Sequence, residues 1–364
     1  MENKKHNLLA TLFVFLLLLV LLLAAGCSLQ TLDAPTEPPS TVIPSIAAVS
    51  ATDIPALTPS IALPSPTTSI TQTPTPSLRI SLMAVGDIML GRAIGDMINT
   101  YGPEIPFNDT AELLSSADIT VGNLECAISE GGQAEDKTYT FRAPLAAADS
   151  LVLAGFDLLS LANNHVLDYG PEAFKDTLDI LQSKQIAVVG AGMDSLTARN
   201  PVIIERNGLR LAFLAYLDIP LWNYDYLTWV ARPDKPGVAW GYRYNIEADV
   251  AEAAQSADLV IVLLHFGIEG QLHPSQQQID TAHTAIDAGA ALVIGHHTHL
   301  LQTIERYNNG LIVYSLGNFV FDEFVEPENQ TAILEVQLSP QGVESYQLIP
   351  VMIQENGLPK IVEP

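Results

Sequence analysis

Short polar blocks follow the apolar runs of this sequence, and they carry residue types that bind divalent cations and move protons. Gly86-Asp87-Ile88-Met89 follows Val85, and Asn123-Leu124-Glu125 follows Gly122. Asn163-Asn164-His165 follows Ala162, with Asp168 three residues on. His265-Phe266-Gly267-Ile268-Glu269 follows Leu264, and Gly295-His296-His297-Thr298-His299 follows Ile294. Of 8 histidines, His6 lies near the N-terminus, and five of the remaining seven stand in these blocks. Packing alone gives no reason for that concentration. Imidazole nitrogen with carboxylate oxygen is a donor set for borderline or hard divalent metals, here Mn, Fe or Zn. Two ions roughly 3.5–4 Å apart activate water and clamp a phosphoryl group. A histidine oriented by a carboxylate protonates a leaving oxygen. His297 and His299, two residues apart, point to one side if the backbone stays extended. Asp87 has a second reading as the cap of a following helix.

The elements that must position these groups alternate in type. Strands are expected over Arg79–Val85, Ile119–Gly122, Leu158–Ala162, Ile186–Val189, Leu209–Tyr216, Leu259–Leu264, Leu292–Ile294 and Leu311–Ser315. Helices are expected over Thr110–Ser116, Leu145–Ala154, Pro171–Ser183, Ile246–Gln255 and Ser275–Ala288. Such alternation predicts a layered α/β sheet. Asn207-Gly208 between two apolar runs predicts a hairpin over Pro201–Leu217. The last runs, Thr331–Leu338 and Glu344–Ile353, also read as antiparallel. Two sheets packed together fit this pattern, and the carboxyl ends of strands in such folds form the ligand crevice. Three tryptophans, Trp222, Trp229 and Trp240, lie in a Tyr- and Pro-rich stretch from Pro220 to Tyr244, read as a lid, a wall or a packed loop.

The chain ahead of Leu78 is of a different kind. Lys4 and Lys5 precede an apolar run, Leu8 to Ala25, that ends in Gly26-Cys27. A positive region, an apolar region and small residues form an export signal. Leu23 to Cys27 resembles a bacterial lipobox, although Ala24 takes the usual large aliphatic position. Residues 1–27 are therefore expected to be a lipoprotein signal peptide that ends in a lipid-bearing Cys27. An uncleaved single-span anchor is the alternative, because the run is nearly long enough to cross a bilayer. Either way the rest lies outside the cytoplasm. Residues 28–77, dominated by Pro, Thr, Ser and Ala, read as an extended tether. Residues 78–364 form the folded domain. With Cys27 lipidated, Cys126 has no partner and reads as a small buried residue. The chain carries 16 Lys+Arg against 41 Asp+Glu, a formal charge of -25. Nucleic acid and acidic lipid are poor partners for that surface.

The polar blocks resemble, in order, those of the calcineurin-like metallophosphoesterases. A closer resemblance is to the CapA family of poly-γ-glutamate capsule biosynthesis proteins. It is carried by AVGDIMLGR, VGNLECAIS, LANNHVLDYG, HFGIEG, GHHTHLLQ and YSLGNFVFD, from about Ser81 to Asp322. It implies a metallophosphatase-like double β-sheet sandwich flanked by helices. It implies Asp87, Glu125, Asn164, His265, His297 and His299 as donors to one or two ions, and His165 as general acid oriented by Asp168. Asn123, Arg142, Glu269, His296 and Asn318 become candidate substrate contacts. Two departures from true phosphoesterases stand out: Met89 replaces the histidine of Asp-x-His, and Asn123 replaces the aspartate of Gly-Asp.

Two functions follow as expectations. One is a metal-dependent hydrolase or transferase acting on an anionic cell-envelope polymer or its precursor. The other is a non-hydrolytic polymer-binding or assembly subunit, working with membrane proteins of a capsule synthesis and export complex. His165 with Asp168 favours the first; loss of the Asp-x-His histidine favours the second.

Overall fold

A strand covered on both faces reads as a continuous apolar run, and the central strands here are of that kind. A computed structural model describes residues 78–220 and 226–362. The signal peptide and tether expected over residues 1–77, and Trp222, lie outside the described residues. Among the described residues no helix is long and apolar enough to cross a membrane.

Two sheets make the frame. The first runs in the order Pro359–Ile361, Gly342–Ile353, Gln330–Ser339, Ile80–Ile88, Ile119–Leu124, Leu158–Ser160, Ala187–Val189. Asn318–Val320 adds to the end of the Ile80–Ile88 strand in parallel, with Asp87 opposite Asn318. The second runs Ile304–Tyr307, Gly310–Val313, Leu292–His296, Leu259–Phe266, Leu209–Asp218, Val202–Arg206. In both sheets the strands that end at the polar blocks are parallel to one another. The expected hairpin is present, with Val202 opposite Phe213 in antiparallel register. The C-terminal pair is antiparallel too, with Leu334 opposite Leu348.

Alternation along each strand assigns its two faces. Leu82, Ala84, Val121, Phe213, Ile261 and Ile294 point between the sheets and form one buried cluster. Leu214, Val262 and Val293 point the other way, against the helices Arg243–Ala253 and Gln276–Asp287. Met83, Val85 and Leu159 face helices Arg92–Tyr101, Ala147–Leu153 and Gly170–Ser183. The result is the expected α/β double sandwich flanked by helices. Helix Arg92–Tyr101 is an addition to the expected set. Its apolar positions Ile94 and Ile98 are four apart and buried. Helix Gln276–Asp287 starts at Ser275, whose side chain accepts from Gln278 N–H in a capping box. Trp229 and Trp240 are buried in the outer core of the first sheet. These two side chains are packed as core.

Candidate metal centre

Two glycines let the segment from Tyr314 to Gly317 pass close against the strand ends at the site. A Cβ at Gly86 would lie 2.0 Å from the Gly317 carbonyl oxygen, and one at Gly295 would lie 2.0 Å from that of Tyr314. Each glycine stands just before a block of donors, Asp87 in one sheet and His296-His297 in the other.

Asp87 is fully buried and receives two hydrogen bonds. Asn123 Nδ2 donates to its Oδ1 at 2.8 Å, and the His297 backbone N–H donates to its Oδ2 at 3.1 Å. Asp87 caps no helix: helix Arg92–Tyr101 begins at Gly91, without a side-chain cap. Asn123 Nδ2 also lies 3.2 Å from His265 Nδ1, while its Oδ1 accepts from Asn163 Nδ2 at 3.1 Å. The amide thus positions a carboxylate from one sheet and an imidazole from the other. His265 Nε2 is 2.8 Å from Asn164 Oδ1. These contacts assign the proton to Nε2 and the lone pair to Nδ1.

Glu125 lies beside this group with neither carboxylate oxygen hydrogen-bonded, although the side chain is completely buried. Its Oε1 is 3.8 Å from His165 Nε2 and 3.8 Å from His265 Nε2. Asp87, Glu125 and His265 each offer an atom within 4.8 Å of the others, all buried. Burial, then the nearby charges of Asp87 and Glu269, raises the Glu125 carboxyl well above its ordinary range. Burial, then neighbouring imidazoles, pushes His265 and His297 well below theirs. The ring of His297 lies 4.6 Å from that of His265, and its Nδ1 is buried without a partner. An unpartnered carboxylate, Glu125, and a neutral imidazole with an unused nitrogen, His297, are what a divalent cation needs, since it binds deprotonated donors. The donor set fits such an ion.

The backbone of the His297–His299 block is not extended. His297 has φ 89° and His299 φ 58°. Both are left-handed, a conformation that costs non-glycine residues energy and clusters at functional sites. This turn, rather than strand alternation, brings both residues to Asp87. His299 Nδ1 lies 3.7 Å from Asp87 Oδ2 and 2.8 Å from Asn318 Oδ1. Asn318 also donates to the backbone oxygens of His299 and Glu328, so it holds the turn closed. His296 turns away from the donors, its Nε2 3.2 Å from the Val85 carbonyl oxygen between the sheets.

His165 and Asp168 form a buried pair, Nδ1 to Oδ2 at 2.7 Å. Nδ1 therefore carries the proton, and Nε2 faces Glu125. Three groups absent from the sequence reading brace the pair. Lys137 Nζ binds Asp168 Oδ1 and, at 2.8 Å, the Asn164 carbonyl. The Phe141 N–H donates to Asp168 Oδ2 at 2.8 Å. The Phe141 ring stacks on His165 with centroids 4.1 Å apart. Burial, opposed by the Asp168 contact, lowers His165 to about 4. Cys126, buried nearby, accepts from the Leu90 N–H, and burial raises its thiol to about 12. It is no nucleophile.

A cleft of about 410 Å³ opens beside these groups, with His165, His299, Phe141, Glu269 and Arg92 in its wall. Arg142 is held elsewhere, with Nη1 on the Gly131 carbonyl at 3.1 Å and its guanidinium over Tyr169. The arginine in the cleft wall is Arg92. Met89 is buried in the outer core, where its sulfur accepts from Gly91 N–H.

A helix-flanked double sheet with buried carboxylate and imidazole groups at its converging strand ends defines an α/β protein with a candidate metal centre. The chain belongs to the family described as bacterial capsule synthesis protein PGA_cap, whose profile matches residues 81–323. It is 33% identical over 292 residues to the capsule biosynthesis protein CapA of Bacillus anthracis, covering 78% of this chain and 70% of that one. It is 30% identical over 279 residues to the PGA biosynthesis protein CapA of Bacillus subtilis, covering 76% and 72%. Among solved structures, a putative 5'-nucleotidase from Staphylococcus aureus aligns with TM-score 0.47 and 15% identity, over 79% of this chain and 55% of that one.

Proposed function

We propose that this capsule-synthesis family member is a metal-dependent hydrolase or transferase. It acts on a phosphoester or amide-type bond of an anionic cell-envelope polymer or its precursor. Glu125 carries the reading: a buried carboxylate with two unpartnered oxygens, facing His165 and His265 at 3.8 Å, has no role in holding the fold. Asp87, Glu125, Asn164, His265, His297 and His299 would hold one or two ions, Mn, Fe or Zn. Such an ion supplies Lewis acidity and lowers the pKa of water. Asn123 and Asn318 keep Asp87, His265 and His299 in place. His165, with Nδ1 tied to Asp168, exchanges a proton at Nε2 on the side of the donors. The names of the relatives, which speak of capsule and PGA biosynthesis, support the polymer class. In this reading Cys27 carries lipid and residues 28–77 tether the domain outside the membrane, beside membrane proteins of polymer synthesis and export.

A second reading, a non-hydrolytic polymer-binding subunit, has its own observation. Met89 lies in the outer core and Asn123 is committed to three neighbours, so two usual donors are missing from the site. The test is metal content together with turnover of a phosphodiester and of a γ-glutamyl oligomer. Wild type is compared with His165→Gln and a His297→Ala/His299→Ala double variant. The hydrolase reading expects bound metal and turnover in wild type, metal without turnover in His165→Gln, and neither in the double variant. Metal without turnover in wild type supports the binding subunit. No metal in wild type, after Mn or Zn is supplied, overturns both.

A further inference from the structure

We infer that the centre takes one divalent ion rather than two, because the Asn123 amide fills the position between Asp87 and His265 that a second ion would bridge. The inference rests on the reading of this group as a metal centre, and it narrows the set of donors.

Asn123 has no exposed surface. Its Nδ2 lies 2.8 Å from Asp87 Oδ1 and 3.2 Å from His265 Nδ1, and those two acceptors are themselves 4.0 Å apart. An amide NH2 has two protons to give. One goes to the carboxylate of the first sheet and the other to the imidazole of the second. A neutral donor thus holds the pair together, as a metal ion holds its ligands.

The direction of this amide is set by its neighbours. Oxygen and nitrogen of a side-chain amide exchange places in a half-turn, and the surrounding hydrogen bonds decide between the two. Here they decide from the backbone outward. The N–H groups of His165 and Val166 both donate to Asn163 Oδ1, each at 3.0 Å. Asn163 therefore directs its Nδ2 to the Leu124 carbonyl at 2.8 Å and to Asn123 Oδ1 at 3.1 Å. Asn123 in turn must present Nδ2 to Asp87 and His265. His265 Nδ1 then accepts, and its Nε2 donates to Asn164 Oδ1 at 2.8 Å. Asn163, Asn123 and His265 are all buried, so water offers no substitute partner. Reversing Asn123 would set donor against donor and acceptor against acceptor.

A cation in that gap would meet the positive end of the amide dipole. It would also have to strip Asp87 Oδ1 and His265 Nδ1 of their shared hydrogen-bond donor. Two divalent ions repel each other about four times as strongly as two single charges at the same distance. A pair of them roughly 3.5–4 Å apart needs a shared anion, and a neutral amide is a poor substitute. Within this group the buried atoms left without a hydrogen bond are both Glu125 oxygens and His297 Nδ1. Glu125 and His297 are the donors on which the single ion depends.

The experiment uses the full protein with zinc alone. Bound zinc is counted after equilibrium dialysis, and the histidine ring nitrogens are followed by NMR. Wild type is expected to hold one zinc per chain. Its His297 Nδ1 should move to the shift of a metal-bound nitrogen, while His265 Nδ1 keeps that of a hydrogen-bond acceptor. Asn123→Asp supplies a shared carboxylate and should hold a second zinc, with His265 Nδ1 now shifted as well. The wild-type count and spectrum decide the matter even if that variant does not fold. Two zinc ions in wild type, or a metal-bound His265 Nδ1 there, would overturn the inference and leave the metal centre standing. One zinc in a folded Asn123→Asp would overturn it too, since Asn123 would not then set the number. No zinc in wild type would remove the metal centre and the inference together.

Discussion

The Glu125 carboxylate, from the first sheet, stands 3.8 Å from Nε2 of His265, from the second, and neither of its oxygens has a hydrogen-bond partner. Two sheets that share an apolar core meet at their rim through a pair of polar groups that do not satisfy each other. Burying an unpartnered carboxylate opposes folding, so whatever supplies its counter-charge stabilises the protein.

Manganese or zinc should therefore raise the melting temperature. A ligand at about a hundred times its Kd adds about 2.7 kcal/mol. In Glu125→Gln the shift should fall by more than half. Melting curves with and without the metal check this, and an undiminished shift in the variant would remove Glu125 from the donor set.

Lys137 should matter beyond its place on a surface excursion. Its ammonium is the counter-ion of Asp168, which has no exposed surface. Lys137→Met removes that counter-ion and leaves Asp168 the His165 ring and the Phe141 N–H, a loss of about 2–4 kcal/mol for a largely buried pair. Lys137→Arg keeps the charge and should recover most of it. Urea denaturation of the three proteins gives the values. The ring-nitrogen spectrum of His165 should lose its single Nδ1–H form in the methionine variant alone.

Acid should destabilise the metal-free protein through His165. Burial lowers that imidazole from 6.5 to about 4, so the unfolded chain takes up a proton that the folded one refuses. Its contribution is complete above pH 6.5 and is lost as pH falls towards 4, about 3 kcal/mol in all. Glu125 acts with opposite sign, because burial raises its carboxyl and its contribution is lost as pH rises above 4.5. The His165 share is the difference between wild type and His165→Gln across pH 4 to 6.5. A difference that does not vary with pH would contradict the burial of His165.

Gly295→Ala should loosen the centre without touching a donor. The new methyl would meet the Tyr314 carbonyl at 2.0 Å. The displaced strand ends just before His297, so metal affinity and stability should fall together, by about 3 kcal/mol for stability. Titration calorimetry with metal and thermal melting test the coupling. A variant that loses stability alone would separate the glycine from the site.

Much of the frame was legible from pattern. Leu259–Phe266 is apolar at every residue but His265, as a strand covered on both faces must be. Asn207-Gly208 marked its hairpin because both residues take positive φ in the tight turn. Helix Arg92–Tyr101 escaped, because Gly95 interrupts it and a weak helix former lowers the signal. Arg92, Lys137 and Phe141 escaped for another reason. Lys137 meets Asp168 across 31 residues and Arg92 meets Asp322 across 230, and no local periodicity carries such pairs.

By itself the sequence determined that a set of Asp, Glu, Asn and His residues stands at strand ends, since side-chain type and two-residue alternation are local properties. The tertiary structure alone decided how they divide the work. It turned His297 and His299 towards Asp87 through left-handed backbone, sent His296 to the Val85 carbonyl, and put Arg92 in the cleft where Arg142 was expected. These outcomes depend on how closely the segment from Tyr314 to Gly317 passes the strand ends at Gly86 and Gly295 and on which loops then cover the rim. Such contacts join residues far apart in the chain, and only the packed molecule brings them together.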